Sequence, residues 1–397
     1  MVSPQPFFSW RGTPFSVYYR TMVSCELGHE ADVLAYGQGM DVDIPGARLI
    51  RIPAFRWLGA VKTGPSAFKL FLDVFMVLWT IGLLLRRRYD VVHAHEEAVF
   101  WCRWLKPLFR FRLIYDMHSS LPQQLHNFEF TKLRLVHWVF EKLETSAVRA
   151  ADAVIAICPA LVDYARTLTD RHEKILLIEN SVFEPVRVRG EDGGTKAATV
   201  ADPGVMRALE DWLAARPANQ VIAYAGTLEA YQGIDKLIEA FALVPREAPQ
   251  AGLLVIGGQP AQVEACRRLA DKLGIAGQVF FSGQLPQVEA QRLVGRAGAC
   301  VSPRFSGDNT PLKIYQLMAS GVPMIATRIE SHTQVLNDEI SILTGVSTQE
   351  LAAGMLAVLR DPAAARAKAE RAQAWYEQHY SRPVYTGKMR ALFALVS

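Results

Sequence analysis

Cysteine is scarce in this 397-residue chain: Cys25, Cys102, Cys158, Cys266 and Cys300, none closer than 34 positions to the next. An odd number without C-x-x-C spacing argues against a zinc site and against a secreted disulfide framework. Long apolar runs are missing as well. The longest uncharged one is Val74–Leu85, twelve residues, against the roughly 20 that a spanning helix needs. Met1–Trp10 has neither the basic start nor the apolar core of a secretory signal. These absences predict a cytoplasmic chain that does not cross a membrane. No G-x-G-x-x-G follows a strand-like run with an acidic residue ~20 positions on, so a nicotinamide-dependent dehydrogenase is excluded. Net charge is also small. Forty-three Lys and Arg against 39 Asp and Glu leave +4, too little to signal a nucleic-acid partner.

Half of the residues are hydrophobic and 21% are charged, the composition of a folded chain. At ~100–200 residues per domain the length predicts two domains. Short β-rich runs alternate with helical patterns, the signature of parallel α/β layers. In the first half the strands are expected at 32–36, 48–52, 91–95, 113–116, 153–157 and 175–178. In the second they are expected at 221–225, 252–256, 278–281, 298–302 and 323–327. The pattern lapses at 185–218, where Arg189–Lys196 (RGEDGGTK) reads as a solvated linker before a short helix at about 203–215. The expected domains are therefore 1–184 and 219–373, with 374–397 left as a final helical segment. A doubly wound domain normally opens on a buried strand, yet only Met1–Ser3 precedes a proline-rich segment.

The stretch Ser302–Thr327 (SPRFSGDNTPLKIYQLMASGVPMIAT) carries the clearest chemistry. It reads as a strand, a polar loop and a helix with Thr310 at the N-cap, Pro311 at the first position and a stop at Gly321. A helix N-terminus at the carboxyl edge of a parallel sheet is an anion site, because its free N–H groups point at the ligand. Lys313 in the first turn opposes the helix dipole by ~0.3–1 kcal/mol unless an anion binds there, and Arg304 adds a second charge.

Residues 221–346 resemble the donor-binding domain of retaining glycosyltransferases of family 4, which have the GT-B fold of two Rossmann-like parallel-sheet domains facing a cleft. The matching pieces are YAGTLEAYQGIDKLIEAF (224–241), LLVIGG (253–258), VFFSGQLP (279–286) and TPLKIYQLMASGVPMIAT (310–327). The resemblance implies a metal-independent glycosyltransferase with no cofactor, taking a nucleotide-diphospho-sugar donor. It implies retention of anomeric configuration and return of the last helix to the first domain. It also gives a carboxylate beside the sugar at Asp308 and a ribose contact at Gln316, where the family has two glutamates. Gly226, Thr227, Gln232, Asn309, Thr310, Pro311 and Leu312 complete the donor contacts. The family's diphosphate-binding arginine and lysine are replaced by Thr227 and Gln232, and Arg304 and Lys313 are the expected substitutes. A binding or scaffold protein without activity, and a nucleotide-sugar epimerase of the same fold, are the alternatives.

The first half resembles the acceptor-side domain of that family. Ser9–Pro14 (SWRGTP), with Gly12 and Thr13, falls at its glycine-rich turn, and His118 in YDMHSS falls at its histidine near the donor sugar. Asn180 falls at a turn entering the hinge. Glu96 is a cleft-edge contact. His93 and His95 share one strand face and, with Glu96 and Glu97, imitate a metal site that lacks a third ligand at fixed spacing. The D-x-D at Asp41–Asp43, a metal-holding pair in a different glycosyltransferase fold, precedes a Pro-Gly turn and reads as coincidence.

Residues 51–112 hold eleven basic and four acidic residues, a local +7. They include an almost wholly apolar helix ending in Arg86-Arg87-Arg88, then FWCRWLKPLFRFR (100–112). Cations interleaved with Trp and Phe suit an anionic membrane surface. Peripheral membrane contact through 67–112, with a glycolipid or growing surface polysaccharide as acceptor, is the resulting expectation. Nucleic acid is not an expected partner.

Overall fold

A computed structural model of the chain describes all residues except 10–11, 56–58, 60, 62–65, 121–133, 182, 185, 187, 190–194, 197–201 and 308. Trp10, Arg11, Asp308 and most of the expected linker thus lie outside the described residues. The chain forms two α/β units. Residues 1–182, 186–195 and 382–397 make the first, and 183–185 with 196–381 make the second.

The first unit is a seven-stranded parallel sheet of β1 (Val2–Ser3), β2 (Ala31–Ala35), β3 (Ala47–Arg51), β4 (Val91–His95), β5 (Arg112–Met117), β6 (Ala153–Ala156) and β7 (Ile175–Leu177). Its spatial order is β3-β2-β1-β4-β5-β6-β7. The stub β1 pairs with both β2 and β4. The connecting helices are α1 (Gly12–Glu26), α2 (Ala67–Arg86), α3 (Ala98–Phe109), α4 (Arg134–Ala150) and α5 (Pro159–Leu168). Right-handed crossovers put α2 to α5 on one face, where Leu72, Met76, Cys102, Val148 and Leu161 enter a common core. On the opposite face α1 packs against β2 and β3, and the C-terminal helix 382–396 against β5 and β6.

The second unit is a six-stranded parallel sheet of β8 (Val221–Ala225), β9 (Gly252–Ile256), β10 (Val279–Gly283), β11 (Ala299–Ser302), β12 (Met324–Thr327) and β13 (Ile342–Thr344). Its order is β10-β9-β8-β11-β12-β13. Both faces are covered, so the strands read as continuous apolar runs. Along β8, Ile222 and Tyr224 enter the core under α7 (Ile234–Phe241), while Val221 and Ala223 enter the opposite core. That is the two-residue period of a strand sharing its side chains between two layers. Further helices on the sheet are α8 (Pro260–Lys272), α9 (Gln287–Gly295), α10 (Leu312–Ser320), α11 (Thr348–Arg360) and α12 (Pro362–His379).

Two boundaries differ from expectation. The helix α6 (Pro203–Ala214), capped by the Asp202 carboxylate, buries Leu209 in the second unit's core and so belongs to that unit. The crossing back to the first unit begins at Arg382, later than the expected 374, because α12 buries Ala372 and Tyr376 in the second unit. The final helix, α13 (Arg382–Val396), buries Tyr385, Met389, Leu392 and Val396. Their helical spacing gives one apolar stripe, which packs beside α1, β5 and β6.

Candidate functional site

In each sheet the strand order reverses once: between β1 and β4 in the first, between β8 and β11 in the second. Loops leaving neighbouring strands there diverge to opposite faces and leave a crevice beyond the carboxyl ends, the usual ligand position in open α/β sheets. The crevice of the second unit is bounded by Gly226-Thr227 after β8 and by Pro303-Arg304 after β11. Several residues singled out in the sequence therefore converge there.

The glycines of this crevice are required by close approach. Gly257 has φ 115°, and a Cβ there would lie 2.1 Å from the Gly226 carbonyl oxygen. Gly233, at φ 73°, lies so close to the Pro303 carbonyl that a Cβ would meet it at 2.4 Å. It opens α7 with no capping side chain. The Tyr224 hydroxyl donates to the Thr227 carbonyl at 2.6 Å and pins the turn. Gly226 and Thr227 are exposed.

α10 begins at Leu312 with Pro311 as its N-cap, one residue later than the sequence implies. Pro311 takes an extended ψ of 134°, and the residue before a proline is itself held out of the helical region. Thr310 therefore does not cap the helix. Its buried Oγ1 has no hydrogen-bond partner among the described residues. The stop at Gly321 is observed, with φ 67°.

Lys313, in the first turn of α10, crosses to the other side of the crevice. Its Nζ donates to Gln232 Oε1 at 3.2 Å and stands 4.3 Å from the Tyr224 ring centre. The cation thus reaches the glutamine that occupies the family's lysine position. Burial, and then the charge of Arg304, push the Lys313 pKa down to about 7. Arg304 is held by its own loop: Nε donates to the Ser306 carbonyl at 2.6 Å and an Nη to the Asn309 carbonyl at 3.1 Å. Its guanidinium stands 5.2 Å from the Tyr231 ring centre. Two cations that repel each other are therefore preorganised beside a glycine turn and a helix N-terminus, and a bound anion would relieve their repulsion. Gln316 lies one turn further along α10, half-buried.

Sequence reasoning missed the support beneath Arg304. Buried His332 approaches the Thr327 carbonyl through Nδ1 at 2.8 Å and Ser302 Oγ through Nε2 at 3.0 Å. A carbonyl only accepts, so Nδ1 carries the proton. Thr327 Oγ1 in turn donates to the Arg304 carbonyl. Burial holds the imidazole neutral, with its pKa down to about 4.

In the first unit, Thr13 and Glu96 meet at the switch point at 3.5 Å. Gly12 opens α1, and among the described residues no atom lies within 4 Å of where its Cβ would be, so their packing does not require glycine there. Glu96 has φ 49°, a strained region for a non-glycine residue. Burial, then Glu97, raise its carboxyl to about 7. Burial and Glu97 do the same to Asp73, which accepts from the Tyr36 hydroxyl at 2.6 Å. Lys69 pairs with Glu97 at 2.8 Å.

His118 follows β5 in a buried polar cluster. Its Nε2 lies 3.1 Å from His95 Nδ1 and 3.4 Å from the Asp116 carboxylate, and His93 Nε2 lies 2.9 Å from Asp116. Arg20, fully buried on α1, pairs with Asp116 and also donates to the Ile178 carbonyl at 3.1 Å and the Tyr385 hydroxyl at 3.1 Å. Burial alone would raise the Asp116 carboxyl. Arg20 and the imidazoles outweigh it and hold it well below the usual range. Burial keeps His118 neutral, with its pKa down to about 4.

Asp116 supplies the third ligand that sequence spacing lacked, and His93, His95 and Asp116 come together as candidate metal ligands. Glu96 and Glu97 are not in that set. The arrangement does not suit a cation. The rings of His93 and His95 are stacked 8° from parallel, so their in-plane lone pairs do not converge, and the Arg20 guanidinium already occupies the carboxylate.

Asn180 Oδ1 accepts from Ser16 Oγ at 2.6 Å, tying the end of the first unit to α1. Asp41 pairs with Arg51 at 2.9 Å beside the surface turn.

The family description "Glycosyl transferases group 1" matches residues 210–379, and "Glycosyl transferase 4-like domain" matches residues 21–181. A D-inositol 3-phosphate glycosyltransferase of Corynebacterium efficiens is 26% identical over 69% of this chain and 63% of its own length. One from Segniliparus rotundus is 28% identical over 35% of this chain and 31% of its own length. The chain therefore spans under two thirds of these two curated relatives. A phosphatidyl-myo-inositol mannosyltransferase of Propionibacterium freudenreichii is 23% identical over 79% of this chain and 72% of its own. Among solved structures, a sucrose-phosphate synthase from Thermosynechococcus elongatus superposes with TM-score 0.71 at 20% identity, covering 99% of this chain and 97% of that one. Anabaena HepE in complex with UDP superposes with TM-score 0.69 at 16% identity, covering 98% of each chain. With both units matched and both sheets of the expected type, the chain belongs to the group 1, family 4-like glycosyltransferases and has the GT-B fold.

Proposed function

We propose that the chain transfers a sugar from a nucleotide-diphospho-sugar to a glycolipid or cell-surface polysaccharide, with retention of anomeric configuration. The observation that carries this reading is the pair of cations, Arg304 and Lys313, held beside the Gly226-Thr227 turn at the switch point of the second unit. When the bond from the anomeric carbon to the diphosphate breaks, its electron pair leaves on the diphosphate. Cations already in place stabilise that charge without reorganising during the reaction. Thr227 and Gln232 contribute hydrogen bonds and no charge, so Arg304 and Lys313 take over the role of the family's arginine and lysine. His118, neutral at physiological pH, serves as a hydrogen-bonding group and not as a proton donor.

Similar proteins support the substrate classes: HepE is in complex with UDP, and the Propionibacterium relative is a phosphatidyl-myo-inositol mannosyltransferase. A second reading, a protein that binds nucleotide-sugars without turnover, is favoured by the uncharged Thr227 and Gln232. Incubating purified protein with a panel of nucleotide-sugars and lipid or polysaccharide acceptors separates the possibilities. Transfer supports the proposal. Release of a free epimer assigns an epimerase, and binding without turnover assigns a scaffold. Lys313→Ala and Arg304→Ala should each lower turnover at least a hundredfold, within the range known for lost transition-state donors. Unchanged turnover in both would refute the relocated cations.

A further inference from the structure

α2 has two apolar faces and uses one. Leu72, Met76 and Thr80, four residues apart, are buried against the sheet. Leu70, Val74 and Leu78 keep the same spacing and point the other way. They are bare, at 64%, 58% and 56% exposure, and Phe71 and Leu85 are exposed with them. The stripe continues onto the neighbouring helices. α3 packs beside α2 and exposes Trp104 and Leu108 at 71% and 72%, and α4 packs beside α3 and exposes Trp138.

The unpaired charges on and just after α2 and α3 are all positive, and the exposed acidic residue Glu141 lies beyond them on α4. Arg86, Arg87 and Arg88 follow the last turns of α2, Arg110 closes α3, and Arg103 stacks on Trp104 at 4.8 Å. None of the five forms an ion pair among the described residues, whereas nearby Lys106 and Arg112 pair with Asp152. α3 has no acidic residue, and the one on α2, Asp73, is bonded to Tyr36.

We propose that this face docks on an anionic lipid bilayer, with α2 lying in the interface plane. Exposed aliphatic groups enter the acyl boundary, Trp104 sits at headgroup level, and the unpaired arginines meet lipid phosphates. A second copy is a poorer occupant, since two-fold pairing of one patch with itself brings arginines against arginines. α2 is long and apolar enough to span a membrane by length and composition. Spanning, however, would strip Leu72 and Met76 from the core they share with the sheet.

Sedimentation of the full chain with vesicles of phosphatidylcholine, with and without phosphatidylglycerol, tests the proposal and needs no activity. Binding should be at least tenfold stronger to the anionic vesicles and weaken with salt. It should fall at least tenfold in Leu70→Glu/Val74→Glu/Leu78→Glu and, independently, in Arg86→Glu/Arg87→Glu/Arg88→Glu. Circular dichroism checks that both variants keep the fold. Equal binding to both vesicle types, or variants that bind like the parent, would overturn the proposal. A carbonate-resistant association would replace docking by spanning. A lipid-free dimer abolished by the glutamates would assign the face to a second copy.

Discussion

At the scale of single residues, Lys313 is under two opposing influences. Its site lowers its pKa to about 7 through burial and the nearby Arg304, yet its proposed task requires the charged form. A diphosphate beside it restores that charge, so donor binding takes up a proton. The free protein loses the charge as pH rises through 7, and donor affinity falls with it. The donor Kd should rise about tenfold between pH 7.5 and 8.5 by proton linkage. In Lys313→Arg, whose guanidinium stays protonated, that slope should vanish. Calorimetric titration at several pH values distinguishes the two, and an unchanged slope in the arginine variant would place the titrating group elsewhere. Lys313 and Arg304 were legible in the sequence because a strand, a polar loop and a helix start stand within a few positions of one another. Arg20, Asp116 and His332 were not. Arg20 and Asp116 are 96 residues apart, and His332 acts through Thr327 on the backbone of another loop. No local pattern marks such partners.

Among the elements, strands at the centre of a sheet were read correctly from their apolar runs: Val221–Ala225 and Gly252–Ile256 match residue for residue. The edge strand Ile342–Thr344 was missed because three residues are too few to show a period. The start of α10 was displaced because a threonine before a proline resembles a cap, whereas the proline's extended ψ delays the first turn. The end of α4 shows a different device. Lys174, buried beside it, donates from Nζ to the carbonyls of Val148, Arg149 and Ala151 at 2.8, 3.1 and 2.9 Å. A cation there satisfies acceptors that the helix leaves open and complements its dipole. Lys174→Met keeps the stem and removes the donors. It should cost about 2 kcal/mol of stability, measurable by urea denaturation, and a loss under half that would mean water replaces the ammonium.

For the whole molecule, the two units are interleaved in sequence: α13 belongs to the first although the entire second unit precedes it. Its Tyr385 hydroxyl accepts from Arg20, and its Lys388 pairs with Glu179. Ending the chain at Ser381 would uncover the apolar stripe of α13's partners and leave Arg20 one contact short. Such a truncation should lower the melting temperature of the first unit by several degrees and leave the isolated 196–381 core nearly unaffected, as followed by hydrogen exchange. Equal protection in both forms would show that α13 is dispensable. The interleaving also sets a schedule for biosynthesis. Tyr385 follows Arg20 by 365 positions, which at ~5–20 residues per second is roughly 20 to 70 seconds of translation. Throughout that interval the nascent first unit waits with its sheet half-covered, while the second unit, made later, can close as soon as it emerges. The part of the protein that leaves the ribosome first is the last to be completed, and it is there that chaperone binding to the growing chain should concentrate.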